Sequence, residues 1–321
     1  MLILDDVRTW CAAQLAQAGR QLAGDLVPVR ANPWSTVLQV PTTAGPCYFK
    51  ACAPTMAAEV HLLPLLAGHA PDLLPQILAA DAGAGWLLLE DGGDLLRPIL
   101  KHDRNLDHWR RVLAAYVALQ QSLQRDVPAL LACGIWDRTP AALPAHYTAL
   151  LDDTDALLLD QPDGLSSAER ARLLALAPAF AADCAALAAV GIPASIDHSD
   201  LHDGNILLRD GRYVLIDWGD ACVGHPFMTL PVTLRSIAYH LELDAADPAL
   251  ADLRDGYLAA WSDFGTLAEL HAAFALARRI SMVNRALTWR EALHHAAPAQ
   301  RAAHAGAVPG WLQEYLGEVE G

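Results

Sequence analysis

His198-Ser199-Asp200-Leu201-His202-Asp203-Gly204-Asn205 is the stretch on which the reading of this chain turns. It runs into Ile206-Leu207-Leu208-Arg209, a turn at Asp210-Gly211, and then Tyr213-Val214-Leu215-Ile216-Asp217-Trp218-Gly219-Asp220. Two short apolar runs joined by an Asp-Gly turn spell a β-hairpin. A hairpin returns its exit to its entrance, so Asp217 comes back beside Asp200 and Asn205. Carboxylate and amide oxygens gathered on one rigid support suit a hard cation such as Mg²⁺, which takes few protein ligands and fills its shell with phosphates and water. One carboxylate is then left to orient a hydroxyl and accept its proton, which is the division of labour that phosphoryl transfer needs. A plain hairpin with solvated charges does not explain Asp, Asn and Asp at all three places. His198 and His202, four apart, are flanked by strand and loop signals rather than by a helix that would set both on one face, which argues against a zinc site.

The pair H-x-D-x-x-x-x-N and I-D-W-G resembles the catalytic loop and metal loop of kinase-like phosphotransferases. Protein kinases carry H-R-D-L-x-x-x-N and D-F-G there. Leu201-His202 after the Asp, and Trp218 inside the second motif, are the form found in the aminoglycoside phosphotransferase (APH) or choline-kinase-like family of small-molecule kinases. The resemblance implies an α+β, bilobal protein-kinase-like fold with a small sheet-containing N-lobe and a larger, mainly helical C-lobe. It implies Asp200 as the catalytic carboxylate, Asn205 and Asp217 as Mg²⁺ ligands, ATP as donor with GTP as the alternative, and His198 as a loop anchor.

The same resemblance extends toward the N-terminus. A strand from about Pro46 to Ala51 ends in Tyr48-Phe49-Lys50. In the family a Lys there holds the nucleotide phosphates, and a Glu of the next helix holds the Lys. The helix from about Thr55 to Ala67 carries Glu59 as its only carboxylate, so Lys50–Glu59 is the expected ion pair. The phosphate-covering loop falls on Ala31-Asn32-Pro33-Trp34-Ser35-Thr36, which has no glycine. Ser35 and Thr36 are its candidates for cradling phosphate, with Trp34 read as packing. Trp86-Leu87-Leu88-Leu89-Glu90-Asp91-Gly92-Gly93 reads as the crossing between lobes, its backbone around Glu90 facing the adenine edge. The boundary then lies near residue 90, with 1–90 the nucleotide-binding lobe and 91–321 the helical lobe that holds the catalytic loop and the acceptor. His225-Pro226-Phe227 departs from the family's Asp-Pro and puts in doubt any contact made by that Asp.

Periodicity fills in the rest. A helix is expected over about Asp5–Gly19, then strands over Gly24–Arg30 and Ser35–Val40. Beyond residue 100 the pattern is helical over Leu106–Gln124, Leu143–Leu159, Ala168–Val190, Met228–Leu243, Leu250–Trp261, Leu267–Thr288 and Trp311–Leu316, which suits a bundle around the hairpin.

At 321 residues the chain suits two lobes better than one core. With 54% hydrophobic and 18% charged residues it is globular rather than disordered. No run of about 18 apolar residues stands out, so no membrane span is expected. The first residues lack a signal-peptide pattern. Six scattered Cys with no C-x-x-C pair fit reduced thiols in the cytoplasm. A net charge of −15 makes nucleic acid a poor partner, because phosphate backbones are held by basic clusters. The expected acceptor is a hydroxyl of a small molecule, aminoglycoside-like or another sugar or amino-alcohol, and cationic. Asp152, Asp153, Asp155, Asp160 and Asp163 are candidates to line an amine-binding cleft, beside the reading that they are a solvated helix end. A fructosamine-kinase-like enzyme acting on glycated amines, and a nucleotide-binding pseudokinase, are the alternatives. The presence of Lys50, Asp200, Asn205 and Asp217 argues against the latter.

Overall fold

The structure, a computed structural model, describes residues 3–321. Helix α1 (Leu4–Gln17) carries Val7, Cys11 and Leu15 as one fully buried stripe with four-residue spacing. That stripe packs on one face of a five-stranded antiparallel sheet made of β1 (Val27–Ala31), β2 (Ser35–Val40), β3 (Cys47–Cys52), β4 (Ile77–Asp81) and β5 (Trp86–Glu90). The strand order is β1-β2-β3-β5-β4. Leu38, Val40, Cys47, Phe49 and Leu88 form a small core with the α1 stripe. Side chains alternate across a strand, so Phe49 turned toward α1 sends Lys50 to the opposite face. Helix α2 (Glu59–His69) links β3 to β4 through a turn at Pro54–Met56. Its Val60, Leu62, Leu63 and Leu66 join the larger core that runs through the C-terminal region.

The chain then becomes mostly helical. It passes through β6 (Asp94–Leu95), α3 (Leu96–Asp103), α4 (Asp107–Leu123), α5 (Val127–Ala132), β7 (Trp136–Asp137), α6 (Leu143–Asp152) and α7 (Ser167–Ala189). Strand β8 (Ser195–Asp197) leads to the hairpin β9 (Ile206–Arg209) and β10 (Arg212–Leu215), and β11 (Cys222–Gly224) follows. Helices α8 (Leu230–Leu241), α9 (Pro248–Ala259), α10 (Leu267–Leu293), α11 (Pro298–Ala302) and α12 (Ala307–Glu320) complete it. Two three-stranded sheets, β10-β9-β6 and β7-β11-β8, fix the loops on either side of the hairpin. Asp210 and Gly211 both have positive φ, 52° and 79°, the conformation of a two-residue hairpin turn. At the neck, Ile216 N–H donates to Asn205 O at 2.9 Å, which closes the ring that the motif spacing predicts.

The α+β architecture inferred from the motifs is the one found: an antiparallel sheet N-terminally and a helical region C-terminally. The differences have local causes. Helix α6 stops at Asp152 instead of running to Leu159. Beyond it Leu158, Asp160 and Asp163 take positive φ, and Asp153 Oδ1 and Asp160 Oδ1 accept from the backbone N–H of Ala156 and Ser167. Short acidic side chains offer the backbone an alternative to helix, and here that alternative wins. Strand β4 and helix α3 are unforeseen. Pro98 stands in the first turn of α3, where no intrahelical N–H is needed. The expectation of no membrane-length apolar stretch also needs amending: α7 has 23 residues and a mean hydropathy of 1.5 over an 18-residue window. Its Leu173, Phe180, Cys184 and Leu187 are buried in the core shared with α6 and α10.

Candidate active site

Lys50 projects from the sheet face that looks toward the helical region. Its Nζ donates to Glu59 Oε2 at 2.5 Å and to Asp217 Oδ1 at 2.6 Å. Glu59 is the first residue of α2, where the positive end of the helix dipole favours a carboxylate. Its second oxygen accepts from Trp218 N–H at 3.1 Å, so this one side chain joins Lys50 to the segment that follows β10. Burial alone would push the Lys50 ammonium down, but the Asp217 and Glu59 carboxylates outweigh it and hold the group above its usual range. Arg30 of β1 reaches the other Asp217 oxygen at 3.4 Å.

His198 is fully buried, with its ring against Trp218 at 4.6 Å. Its Nε2–H donates to Ile216 O at 3.0 Å, and its backbone N–H donates to the Tyr116 hydroxyl at 2.8 Å. Burial pushes its pKa down, and the ring ties the loop after β8 to the end of β10. Asp200 Oδ1 lies 3.2 Å from Arg285 Nη2 of α10, and Oδ2 lies 3.3 Å from His202 Nε2. Burial alone would raise Asp200, yet Arg285, with His202, holds it well below the usual carboxylate range. Asn205 spends its Nδ2 on Asp200 O at 3.0 Å, leaving Oδ1 as its oxygen donor. Asp217 has left-handed backbone, φ 66°. Burial would raise it, but Lys50 and then Arg30 bring it below its ordinary value. Asp220 behaves oppositely: burial, outweighing the pull of Arg285 and reinforced by Asp200 and Asp217, pushes it up to about 7.

Lys50, Glu59, Ser35, Asp200, Asp217 and Asp220 therefore line one cleft of about 230 Å³, with Arg285, Thr288 and Trp289 of α10 as its far wall. Ser35 Oγ is buried with no hydrogen-bond partner. Trp34 packs edge to face on Trp289 at 5.6 Å and against His304 at 5.5 Å, bridging the loop after β1 to the C-terminal helices. Among the described residues no group of three His, Cys, Asp or Glu is placed to hold a metal ion. Asn205, 2% exposed, is not among the residues that line the cleft; its Oδ1 and the Asp217 carboxylate are oxygen donors, the chemistry that a hard cation takes, rather than nitrogen or sulfur.

Other expected residues fall elsewhere. Glu90 lines a separate hollow with Arg20, Gln76 and Asp91. Its carboxylate accepts from Arg20 Nη1 at 2.9 Å and its N–H donates to Gln76 O at 2.9 Å. The acidic cluster does not line the cleft. Asp152 faces Arg170 at 3.4 Å, Asp160 caps the start of α7, and Asp153 and Asp155 border a neighbouring hollow with Arg290, His294 and Arg301. Arg285, Thr288 and Trp289 are among the lining residues that sequence reading misses, as is Arg30, which reaches Asp217 without lining the cleft. A signal for α10 exists in hindsight. Ala277, Ile280, Asn284, Thr288 and Glu291 follow helical spacing on a buried stripe, and its last three members are polar. Buried polar residues on a stripe that ought to be apolar mark a helix facing a site.

Residues 33–274 match the phosphotransferase enzyme family, APH. A glucosamine kinase from Streptacidiphilus jiangxiensis is 31% identical over 186 residues, which is 57% of this chain. The match spans 39% of that protein's length, well under two thirds of it. Among solved structures, a macrolide 2′-phosphotransferase type I superposes with a TM-score of 0.61 at 16% identity, covering 97% of this chain and 98% of the other. A choline/ethanolamine kinase family protein from Mesorhizobium loti gives 0.64 at 15% identity, covering 99% and 96%. The GDP complex of an aminoglycoside 2′-phosphotransferase gives 0.60 at 14% identity, covering 96% and 97%. These structures share the fold, and the family match takes in Ser35, the Lys50–Glu59 pair and both halves of the hairpin motif: the chain belongs to the phosphotransferase enzyme family, APH.

Proposed function

We propose that this chain transfers the γ-phosphoryl group of a nucleoside triphosphate to a hydroxyl of a small amino-sugar or amino-alcohol. The observation that carries the reading is the convergence of Lys50, Asp217 and Asp200 on one cleft from three separate elements. Residues 1–90 form the nucleotide lobe and 91–321 the acceptor lobe in this reading. Lys50, held by Glu59, contacts the donor phosphates, and Ser35 Oγ donates to them. Asn205 and Asp217 hold Mg²⁺, which when bound neutralises phosphate charge. Asp200 orients the acceptor hydroxyl and receives its proton. A carboxylate held so acidic is a weak base, which fits a loose transition state that asks for placement more than for proton affinity. ATP is the donor, with GTP as the alternative that the GDP-bound relative keeps open. The cytoplasm, where both ATP and reduced thiols are found, is the compartment.

The residues that line the cleft support this class of acceptor. Trp289, Trp34 and Asp220 line the same cleft, which brings aromatic surface and a carboxyl together for a ring that bears an amine. The named activity of the glucosamine kinase relative supports the same class. ADP release, measured with ATP and with GTP over glucosamine, an aminoglycoside, choline, ethanolamine and a fructosamine, tests this. Turnover on an amine-bearing alcohol that falls at least about 10²-fold in Asp200→Asn is expected. No turnover on any acceptor, with nucleotide still bound, would leave a pseudokinase.

A further inference from the structure

Arg285 stands in the middle of α10, 7% exposed, far along the chain from the motifs. Its guanidinium meets three oxygens of the catalytic segment: Nη1 donates to Ser199 O at 2.8 Å, Nη2 faces Asp200 Oδ1 at 3.2 Å, and Nη1 also faces Asp220 Oδ2 at 3.4 Å. Ser199, immediately before Asp200, has φ 60°, a conformation that a non-glycine residue keeps only when its surroundings over-determine it. All its polar groups are taken. Its N–H donates to Asp197 Oδ1 at 2.9 Å, its carbonyl accepts from Arg285, and its Oγ lies 3.3 Å from Cys222 Sγ and 3.4 Å from Asn284 Nδ2. Two of those contacts come from consecutive residues of α10, a rigid 27-residue helix.

We propose that Arg285 is a positioning residue: it aims the Asp200 carboxylate by gripping both that carboxylate and the carbonyl before it. The inference rests on the reading of Asp200 as the group that orients the acceptor. A guanidinium is a planar fork that serves two acceptors in fixed geometry, which an ammonium does not. The Nε of Arg285 is buried with no partner, so the side chain is not placed for its own satisfaction. What it does satisfy is the strained turn and the carboxylate. Because α10 also supplies Thr288 and Trp289 to the acceptor wall, the same helix sets the distance between acceptor and carboxylate. Misplacement of a reacting group by about 1 Å costs about 10²-fold in rate.

The test is a double-mutant cycle on the full chain, using ADP release with Mg²⁺–ATP and glucosamine, and with water as acceptor. Arg285→Met is expected to lower kcat about 10²-fold with ATP affinity, read by calorimetry, within about twofold of wild type. Arg285→Lys reaches one oxygen instead of two and is expected to lose about tenfold, carrying the test if the Met variant does not fold. In an Asp200→Asn background either change is expected to cost less than about twofold, because residues acting as a unit are non-additive. Hydrogen exchange supplies a readout free of turnover: peptides over 197–203 should exchange faster in both variants while 206–215 stay unchanged. Equal losses in the wild-type and Asp200→Asn backgrounds, or an Arg285→Lys enzyme matching wild type, would overturn the proposal. An Asp200→Asn enzyme that turns over normally would instead remove the reading beneath it.

Discussion

Replacing Lys50 by Met separates electrostatics from packing in this cleft. Met keeps most of the side-chain volume and removes the ammonium. Two carboxylates then lose their shared partner: Glu59, 2% exposed at its side chain, and Asp217, 21% exposed. Breaking a buried pair by deleting one partner costs about 3–5 kcal/mol. Asp217 keeps a fifth of its side chain in water and still has Arg30 at 3.4 Å, so the lower end, about 3 kcal/mol at neutral pH, is the expected loss. The pH dependence gives the sharper test. In the wild type Lys50 holds Asp217 below its ordinary value, so its contribution to stability is present above the unfolded value, about 3.9, and is lost as pH falls through the folded one. Without the ammonium, burial acts on Asp217 with only Arg30 against it, and the folded pKa moves above the unfolded one. The fold then binds the extra proton, and stability falls as pH rises from about 4 through the raised value. The deficit of the variant must therefore grow with pH, by about 1.4 kcal/mol for each pH unit that separates the raised value from the unfolded one. Urea unfolding followed by tryptophan fluorescence at about pH 5 and about pH 7.5 measures it. A deficit that is equal or larger at the lower pH would refute the reasoning.

Two further outcomes follow from the same geometry. Asp217→Ala removes a direct oxygen ligand, so calorimetry should find that Mg²⁺ no longer strengthens ATP binding; an unchanged Mg²⁺ effect would move the cation site elsewhere. Neutralising Asp152, Asp153 and Asp155 together to Asn should leave the acceptor KM within about twofold, since these side chains face Arg170, a local turn and a separate hollow, and lost exposed pairs are individually small. A KM that climbs steeply and loses its salt dependence would return that cluster to the cleft.

Legibility in the sequence tracked how local each constraint is. The hairpin was readable because Asp210-Gly211 and the flanking apolar runs dictate it within a dozen residues. Lys50 was readable only through the family resemblance, which places a Lys at the end of that strand; strand alternation then sends it opposite to Phe49. The Asp cluster misled because composition says nothing about direction: Asp153 and Asp160 turned onto backbone N–H groups close in sequence and ended a helix that apolar spacing had carried on. Arg285 was invisible for the reverse reason. Its partners lie 65 to 86 positions away, and no local rule connects an arginine on a helix to a carbonyl so distant.

The charges of the cleft tie donor and cation together. Glu59, Asp200, Asp217 and Asp220 bring four carboxylates, and Lys50 and Arg285 bring two cations, with Arg30 a third at the edge. Every one of those cations is already engaged with a carboxylate. Phosphates entering beside Lys50 compete with Asp217 for its ammonium, and the displaced carboxylate would be left buried without a partner, which is costly. In the proposed reading a divalent cation bound with the nucleotide would relieve that cost, because Asp217 would then have the cation, and Lys50 the phosphate, as partner. Donor and cation are then expected to bind as one unit, and weakly when apart. The acceptor meets the remainder of the same balance. With Arg285 committed to Asp200 and Ser199, no guanidinium is left over to draw an anionic acceptor into the far wall. Asp220, pushed up to about 7 by burial, can meet an ammonium group by giving up its proton and a hydroxyl by keeping it. In the proposed reading, an alcohol that carries an amine suits that arrangement in either state.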